Sequence, residues 1–338
     1  MDSRQRMINV IEHKVIDRFP RDVWTWPNVS LLKNDLYNDF LSRYEIDIGH
    51  PRMGYMKSGY EKGIPDRIGS YTDEFGCTFD VGEDGVVGEV KKAMFEDFDM
   101  LDSYKMPYEI IKGINKDAVS EQCKKSSKFM VAGTHIRPFE RIQFMRGTED
   151  LFCDLAAGEP KVEKLIALLH DFYLKELDII TDAAIDGFTF MDDWGSQISL
   201  LISPKLWRQL FKPLYKDYVD MAHSKGKYAF FHTDGFIEEI YPDLVEIGVD
   251  VINSQLTCMN IEKIADLYGD KICFWGEPDR QHTIPFGSVT DIEREVDRIA
   301  DSVIKKNGKR TGAIAQCTWN AFDPYENILA VFRQWDKK

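Results

Sequence analysis

From about residue 128 onward, short unbroken apolar runs alternate with longer stretches whose apolar residues recur every third or fourth position. The runs are KFMVAG (128–133), GFTFMD (187–192), KYAFFH (227–232), VDVINS (249–254), KICFWG (271–276) and GAIAQC (312–317). They are rich in aromatic and β-branched residues and apolar nearly throughout, as strands buried on both faces of a parallel sheet read. The stretches between them carry helix start signals. Ser203-Pro204 opens one with Leu206, Leu210, Leu214, Tyr218 and Met221 in helical spacing. Ser288 opens another with Ile292, Val296, Ile299 and Val303, and Asp323-Pro324 opens the last with Ile328, Val331, Phe332 and Trp335. Each predicts a capped helix with one buried face.

Two earlier runs, DVWTW (22–26) and YEIDIG (44–49), bring the strand count to eight. Eight strands alternating with helices predict an α/β fold, a single (β/α)8 TIM barrel over residues 1–338. Residues 50–127 do not fit the alternation. TDEFGCTFDVGEDGVVGEVKKAMF reads as a hairpin about its Gly-Glu-Asp-Gly turn, and YEIIKGINKDAVSEQCKKS reads as a helix. This stretch is expected to be a hairpin-containing excursion after strand two, lying over one face of the barrel.

The barrel length suits the 338 residues, and 43% hydrophobic residues supply a sizeable core. A net charge of −14 argues against a nucleic-acid partner, whose phosphates call for basic surfaces. Charged residues interrupt the apolar ones near the N-terminus, so no signal-peptide core is expected, and no apolar run is long enough to predict a membrane span. Six scattered cysteines without a C-x-x-C pair point to a reducing, cytoplasmic setting.

Barrel chemistry is placed at the C-terminal ends of the strands. Those ends carry Trp24 and Trp26, then His50, His135 and Arg137, then Asp192-Asp193-Trp194, His232 and Asp234, Asn253 and Gln255, Trp275 and Glu277, and Cys317 with Trp319. Imidazole, carboxylate and thiol at His232, Glu277 and Cys317 form a candidate three-ligand zinc site with a fourth position open. Asp234 is a second carboxylate candidate. A lone histidine or cysteine at a strand end is more often structural, and no compact metal motif is present. Of Asp192 and Asp193, adjacent on one strand, at most one faces the barrel axis, and the other is expected to cap the next segment or bind backbone. Asp193 and Asp234 are the candidate catalytic carboxylates, and Gln255 a candidate substrate contact. Five of the seven tryptophans lie near strand ends. They read either as rim packing or as an aromatic-walled pocket, for which Trp24, Trp26, Trp194 and Trp319 are the candidates. Such a pocket suits a flat aromatic or a quaternary ammonium.

Taken together, SRQRMINVIEHKVIDRFP, TDEFGCTF with GVVGEVKKAMF, MDDWGSQ, HTDG, FWGEPDRQHTIPFGS and AQCTW make the chain resemble the uroporphyrinogen decarboxylase-like superfamily, and within it the corrinoid-dependent methyltransferase branch. In that branch zinc is held by a His-x-Cys pair after strand five and a cysteine after strand eight. His232 and Cys317 match, but Asp234 stands where the middle cysteine belongs, and Glu277 could supply the missing ligand. The departure makes a thiol substrate a poor expectation. It favours a harder zinc ion that polarises an ether oxygen. The resemblance thus implies methyl transfer from a methoxylated aromatic to the Co(I) corrinoid of a separate protein, since no D-x-H-x-x-G corrinoid motif occurs here. The rivals are a methylated amine, betaine or thiol as donor, and a metal-free lyase of decarboxylase type. The last calls for an arginine-rich segment where this chain reads TWPNVSLL.

Overall fold

The computed structural model describes all 338 residues. Ten strands form. β1 (Arg21–Thr25), β2 (Ile48–Gly49), β5 (Phe129–Gly133), β6 (Gly187–Met191), β7 (Tyr228–Thr233), β8 (Val251–Ser254), β9 (Cys273–Gly276) and β10 (Ala313–Trp319) make one parallel sheet, while β3 (Gly69–Thr72) and β4 (Thr78–Val81) make an antiparallel hairpin. The order β1-β10-β9-β8-β7-β6-β5-β2 curls the sheet into the expected (β/α)8 barrel. At the seam between β1 and β2, Asp47 N–H donates to Arg21 O at 2.9 Å, and Arg21 N–H donates to Asp47 Oδ2 at 2.7 Å. Arg6 and Arg18 also hold the buried Asp47 carboxylate, at 2.5 and 2.6 Å. β2 is shorter than the run 44–49 because Asp47 spends its side chain on this seam.

The helices follow their signals with three differences. Ser288 and Asp291 form a reciprocal capping box for Val289–Asn307. Ser203 caps Pro204–Leu210, but the expected single helix breaks at Phe211 and resumes as Lys212–Ser224, because Pro213 has no N–H to continue the ladder. Asp323 does not cap Tyr325–Asp336. It accepts from Asn320 N–H at 2.7 Å and tightens the loop after β10 instead. The stretch 108–126 is two helices, Glu109–Lys112 and Lys116–Lys125, with Asn115 capping the second. No helix is long and apolar enough to cross a membrane.

The excursion forms its hairpin one turn earlier than expected. β3 and β4 reverse at Asp73–Cys77, where Asp73 Oδ1 accepts from Phe75 and Cys77 N–H and Gly76 takes φ +95°. The Gly-Glu-Asp-Gly turn makes only the single bridge Asp80–Glu89. Its Gly85, at φ +82°, packs so closely on Asn28 that a Cβ would stand 2.7 Å from the Asn28 Cα. This anchor lays the following residues over the barrel mouth, where Val87 borders two cavities of about 500 and 940 Å3.

Candidate functional site

Strand alternation sorts the candidates. In β7, Phe231 meets Phe190 and Tyr215 of the outer layer, so Phe230 and His232 point to the axis. Beyond β7 two tight loops meet. A Cβ on Gly235 would stand 2.0 Å from Gly195 O, and one on Gly195 would stand 2.3 Å from Phe236 N, so both glycines are required by contact. Gly195 N–H donates to Asp234 O at 3.1 Å, and Asp234 N–H donates to Asp193 Oδ1 at 2.8 Å. The two loops therefore set Asp193 and Asp234 on either side of His232. His232 Nε2 lies 3.8 Å from Asp193 Oδ1 and 3.7 Å from Asp234 Oδ1.

The other side of the imidazole is held by Asn253, whose Oδ1 is 2.6 Å from His232 Nδ1. Asn253 Nδ2 donates to Trp275 O at 2.8 Å, which fixes the amide with its oxygen toward the ring. Nδ1 is thus the protonated nitrogen, and the Nε2 lone pair faces two carboxylates. Such a lone pair calls for a proton or a cation between them.

The oxygens around it are undersatisfied. Asp234 Oδ1 and both oxygens of Glu277 are buried without a hydrogen-bond partner. Arg280 binds Asp234 Oδ2 through Nη2, and its Nε stands 3.5 Å from Glu277 Oε1. Burial raises the Glu277 carboxyl to about 7 against the opposing charge of Arg280. Burial and the neighbouring Asp234 charge also raise Asp193. The ligand atoms of Asp193, His232 and Asp234 lie within 4.8 Å of one another. Ligands bound at ~2.0–2.1 Å in a tetrahedron stand about 3.4 Å apart, close to the spacing already present. Orphaned buried oxygens and a free imidazole nitrogen fit a divalent cation.

Of the expected ligands, His232 stands in this cluster and Glu277 lies beyond Arg280, while Asp193 joins the cluster where no ligand role was expected for it. Cys317 is turned away. It is in register with Val23, while Thr318 pairs with Trp24, whose ring contacts His232. Alternation thus puts Thr318 inward and Cys317 outward, and burial holds its thiol pKa well above the ordinary range.

The aromatic candidates divide the same way. Trp24 and Trp26 line the 500 Å3 mouth cavity together with His232, Asp234 and Arg280. Trp24 is rigid: its Nε1 donates to the buried Asp22 at 2.9 Å, and its ring meets Trp275 and His232 edge-on at 4.9 and 5.1 Å. Trp194 is instead core, stacked on Phe139 at 4.2 Å and donating to Tyr215. Trp319 packs outside β10 on Tyr37, Phe40 and Tyr325. Neither is a wall of the mouth, because each stands on the helix-facing side of its strand end. Gln255 accepts from Gly235 N–H at 2.9 Å, so it steadies the loop that carries Asp234 and also borders a smaller cavity of about 270 Å3.

Asp192 behaves as the pair rule requires. It accepts from Phe139 and Glu140 N–H and from Tyr215 Oη, and so caps the helix Pro138–Arg146. His50 bonds Val131 O and His135 bonds the buried Glu176, both structural roles. Arg280 was missed by sequence reading. Its one signal is the spacing to Glu277 within GEPDRQ, which gains meaning only when the loop folds back over Asp234.

A methyltransferase from Methanosarcina mazei has a similar structure, with a TM-score of 0.72 at 13% identity, covering 100% of this chain and 99% of the other. An endo-beta-1,4-xylanase of glycoside hydrolase family 10 from Gloeophyllum trabeum is matched at a TM-score of 0.46 and 10% identity, over 95% and 97% of the two chains. No curated protein sequence matches the chain. The first likeness shows the fold. The profile of the uroporphyrinogen decarboxylase (URO-D) family matches residues 64–321, more than half of the chain, and the chain belongs to that family.

Proposed function

We propose that this protein is a zinc-dependent methyltransferase that moves a methyl group from a methoxylated aromatic to the Co(I) corrinoid of a separate protein. The observation that carries this reading is the His232 Nε2 lone pair, held between Asp193 and Asp234 at the floor of a cavity walled by Trp24 and Trp26. Asp193, His232 and Asp234 would hold the zinc, with Glu277 a further carboxylate on the far side of Arg280. Zinc supplies Lewis-acid polarisation of an ether oxygen, which makes a phenolate a better leaving group. Asn253 keeps the proton on Nδ1 and the lone pair of Nε2 toward the cavity. The two tryptophans offer flat faces that orient an aryl ring and exclude water. In the overall reaction the C–O bonding pair stays on the phenolate oxygen, and the new bond to carbon uses the electron pair of Co(I).

The mouth cavity also bears on the rivals. Its lining includes one arginine, already engaged by Asp234, so it offers little to a substrate with many carboxylates, as a porphyrinogen decarboxylase would need. Asp234 and Asp323 beside the tryptophans would suit a methylated ammonium donor, the second reading. The test is a spectroscopic assay with zinc-loaded protein and free Co(I) cobalamin. Appearance of the methyl-Co(III) spectrum with methoxybenzene or 4-methoxybenzoate but not with a betaine supports the proposal. The reverse selectivity replaces it with the second reading, and no transfer from either donor overturns both.

A further inference from the structure

Arg280 holds the place of a second cation at the candidate centre. It reaches both Asp234 and Glu277, the two residues whose buried oxygens lack other partners. It is the one lysine or arginine lining the mouth cavity, and it also borders the 270 Å3 cavity beside it. Its side chain is 23% exposed on the loop after β9 and lines a cavity on either side. Resting on the proposed function, we infer that Arg280 is a specificity-determining residue: a tethered guanidinium that competes with the metal for Asp234 and Glu277 and, once released, anchors a carboxylate on the aromatic methyl donor.

The charges give the reason. Asp193, Asp234 and Glu277 place three carboxyl groups at one centre, and Arg280 answers only part of that charge. A divalent cation beside His232 would draw on the same carboxylates, Asp234 through Oδ1 while Arg280 holds Oδ2, so they would then hold Arg280 less firmly. A guanidinium freed beside an aromatic-walled cavity presents a planar fork that matches a carboxylate bidentately. An anionic donor draws Arg280 off the carboxylates and so strengthens metal binding. By linkage, metal strengthens donor binding by the same factor. The substrate class is therefore a methoxylated aromatic acid rather than a neutral aryl ether.

The test measures zinc affinity by competition with a chromophoric chelator. Wild type, Arg280→Gln and Arg280→Lys are titrated alone, with 4-methoxybenzoate, and with methoxybenzene. Arg280→Gln is expected to bind zinc about tenfold more tightly than wild type, within the usual range for coupled sites. In wild type, 4-methoxybenzoate tightens zinc binding and methoxybenzene does not, while Arg280→Gln shows no such response. Arg280→Lys keeps the competing charge but loses most of the carboxylate response, because an ammonium lacks the fork. Equal or weaker zinc binding in Arg280→Gln overturns the inference and leaves the zinc reading standing, as does an equal response to both aryl ethers. Zinc binding by none of the proteins overturns the inference together with the proposed function.

Discussion

His232 Nδ1 lies 2.6 Å from Asn253 Oδ1, and this contact decides which face of the imidazole is reactive. Asn253 is itself pinned by Trp275 O, so the tautomer is set two residues away from the cavity. Replacing Asn253 by Leu removes both restraints at nearly constant volume. Zinc affinity is expected to fall about 10- to 100-fold, the usual effect of losing the group that orients a ligating histidine. Chelator competition measures it, and circular dichroism checks that the barrel is intact. Unchanged affinity would mean that Asn253 does not set the ligating face of His232.

The proposed ligand set separates two variants that sequence reading would have ranked the other way. Cys317 faces outward beside Val23, so Cys317→Ala is expected to keep its zinc. Asp234→Asn replaces a carboxylate with an amide at a position 3.7 Å from His232 Nε2 and is expected to lose most of it. Elemental analysis of the two purified variants beside wild type decides the matter. Zinc lost from Cys317→Ala and kept in Asp234→Asn would restore the thiolate site.

Why was the barrel legible in the sequence when the facing of the site residues was not? Strands β5 to β10 announce themselves by composition, because a strand buried on both faces must be apolar along its whole length. Which residue of a strand end faces the axis is a matter of parity, and with Thr318 inward beside Trp24, Cys317 falls on the outer face. Asp193 and Asp192 were bound by the same rule, and there the rule held, since Asp192 caps a helix while Asp193 meets the other loop. The meeting of Gly195 with Gly235, and the fold-back of Arg280, join loops far apart in the chain. No local pattern carries that information. The same holds for β2, whose shortness follows from the Asp47 contacts across the seam.

One buried histidine–carboxylate pair sits away from the proposed chemistry. Burial disfavours a charge on His135, but the Glu176 carboxylate at 2.6 Å outweighs it and raises the imidazole above its ordinary pKa of 6.5. The folded state thus holds this proton more tightly than the unfolded chain. Its contribution to stability is full below about pH 6.5 and is lost as the pH rises through the folded value. Glu176→Gln removes the effect and is expected to cost about 2 kcal/mol at pH 6, typical of a hydrogen bond to a charged group. Urea unfolding of both proteins at pH 6 and pH 9 should show the gap closing with pH. A gap of constant size would mean that His135 is neutral throughout.

Trp26 and Trp194 are both tryptophans at strand ends, yet they should fail in opposite ways. Trp194 is fully buried between Phe139, Phe211 and Tyr215, and its indole N–H is bonded at 2.8 Å. Trp194→Ala opens a large void and strands a polar partner, so a loss of about 3–5 kcal/mol in unfolding free energy is expected. Trp26 is half-buried at the mouth, where it precedes the helix Pro27–Leu32 and lines the cavity with Trp24. Trp26→Ala is expected to leave stability within about 1 kcal/mol and to weaken binding of an aromatic ligand by about tenfold, the worth of an aromatic contact of ~0.5–1.5 kcal/mol plus the lost apolar area. Urea unfolding and fluorescence titration with 4-methoxybenzoate measure the two quantities on each variant. If Trp26→Ala binds the ligand as wild type does, the mouth is not the donor site. The larger cavity across Val87, bordered by Tyr71, Phe79 and Phe144, is then the next place to test by substitution.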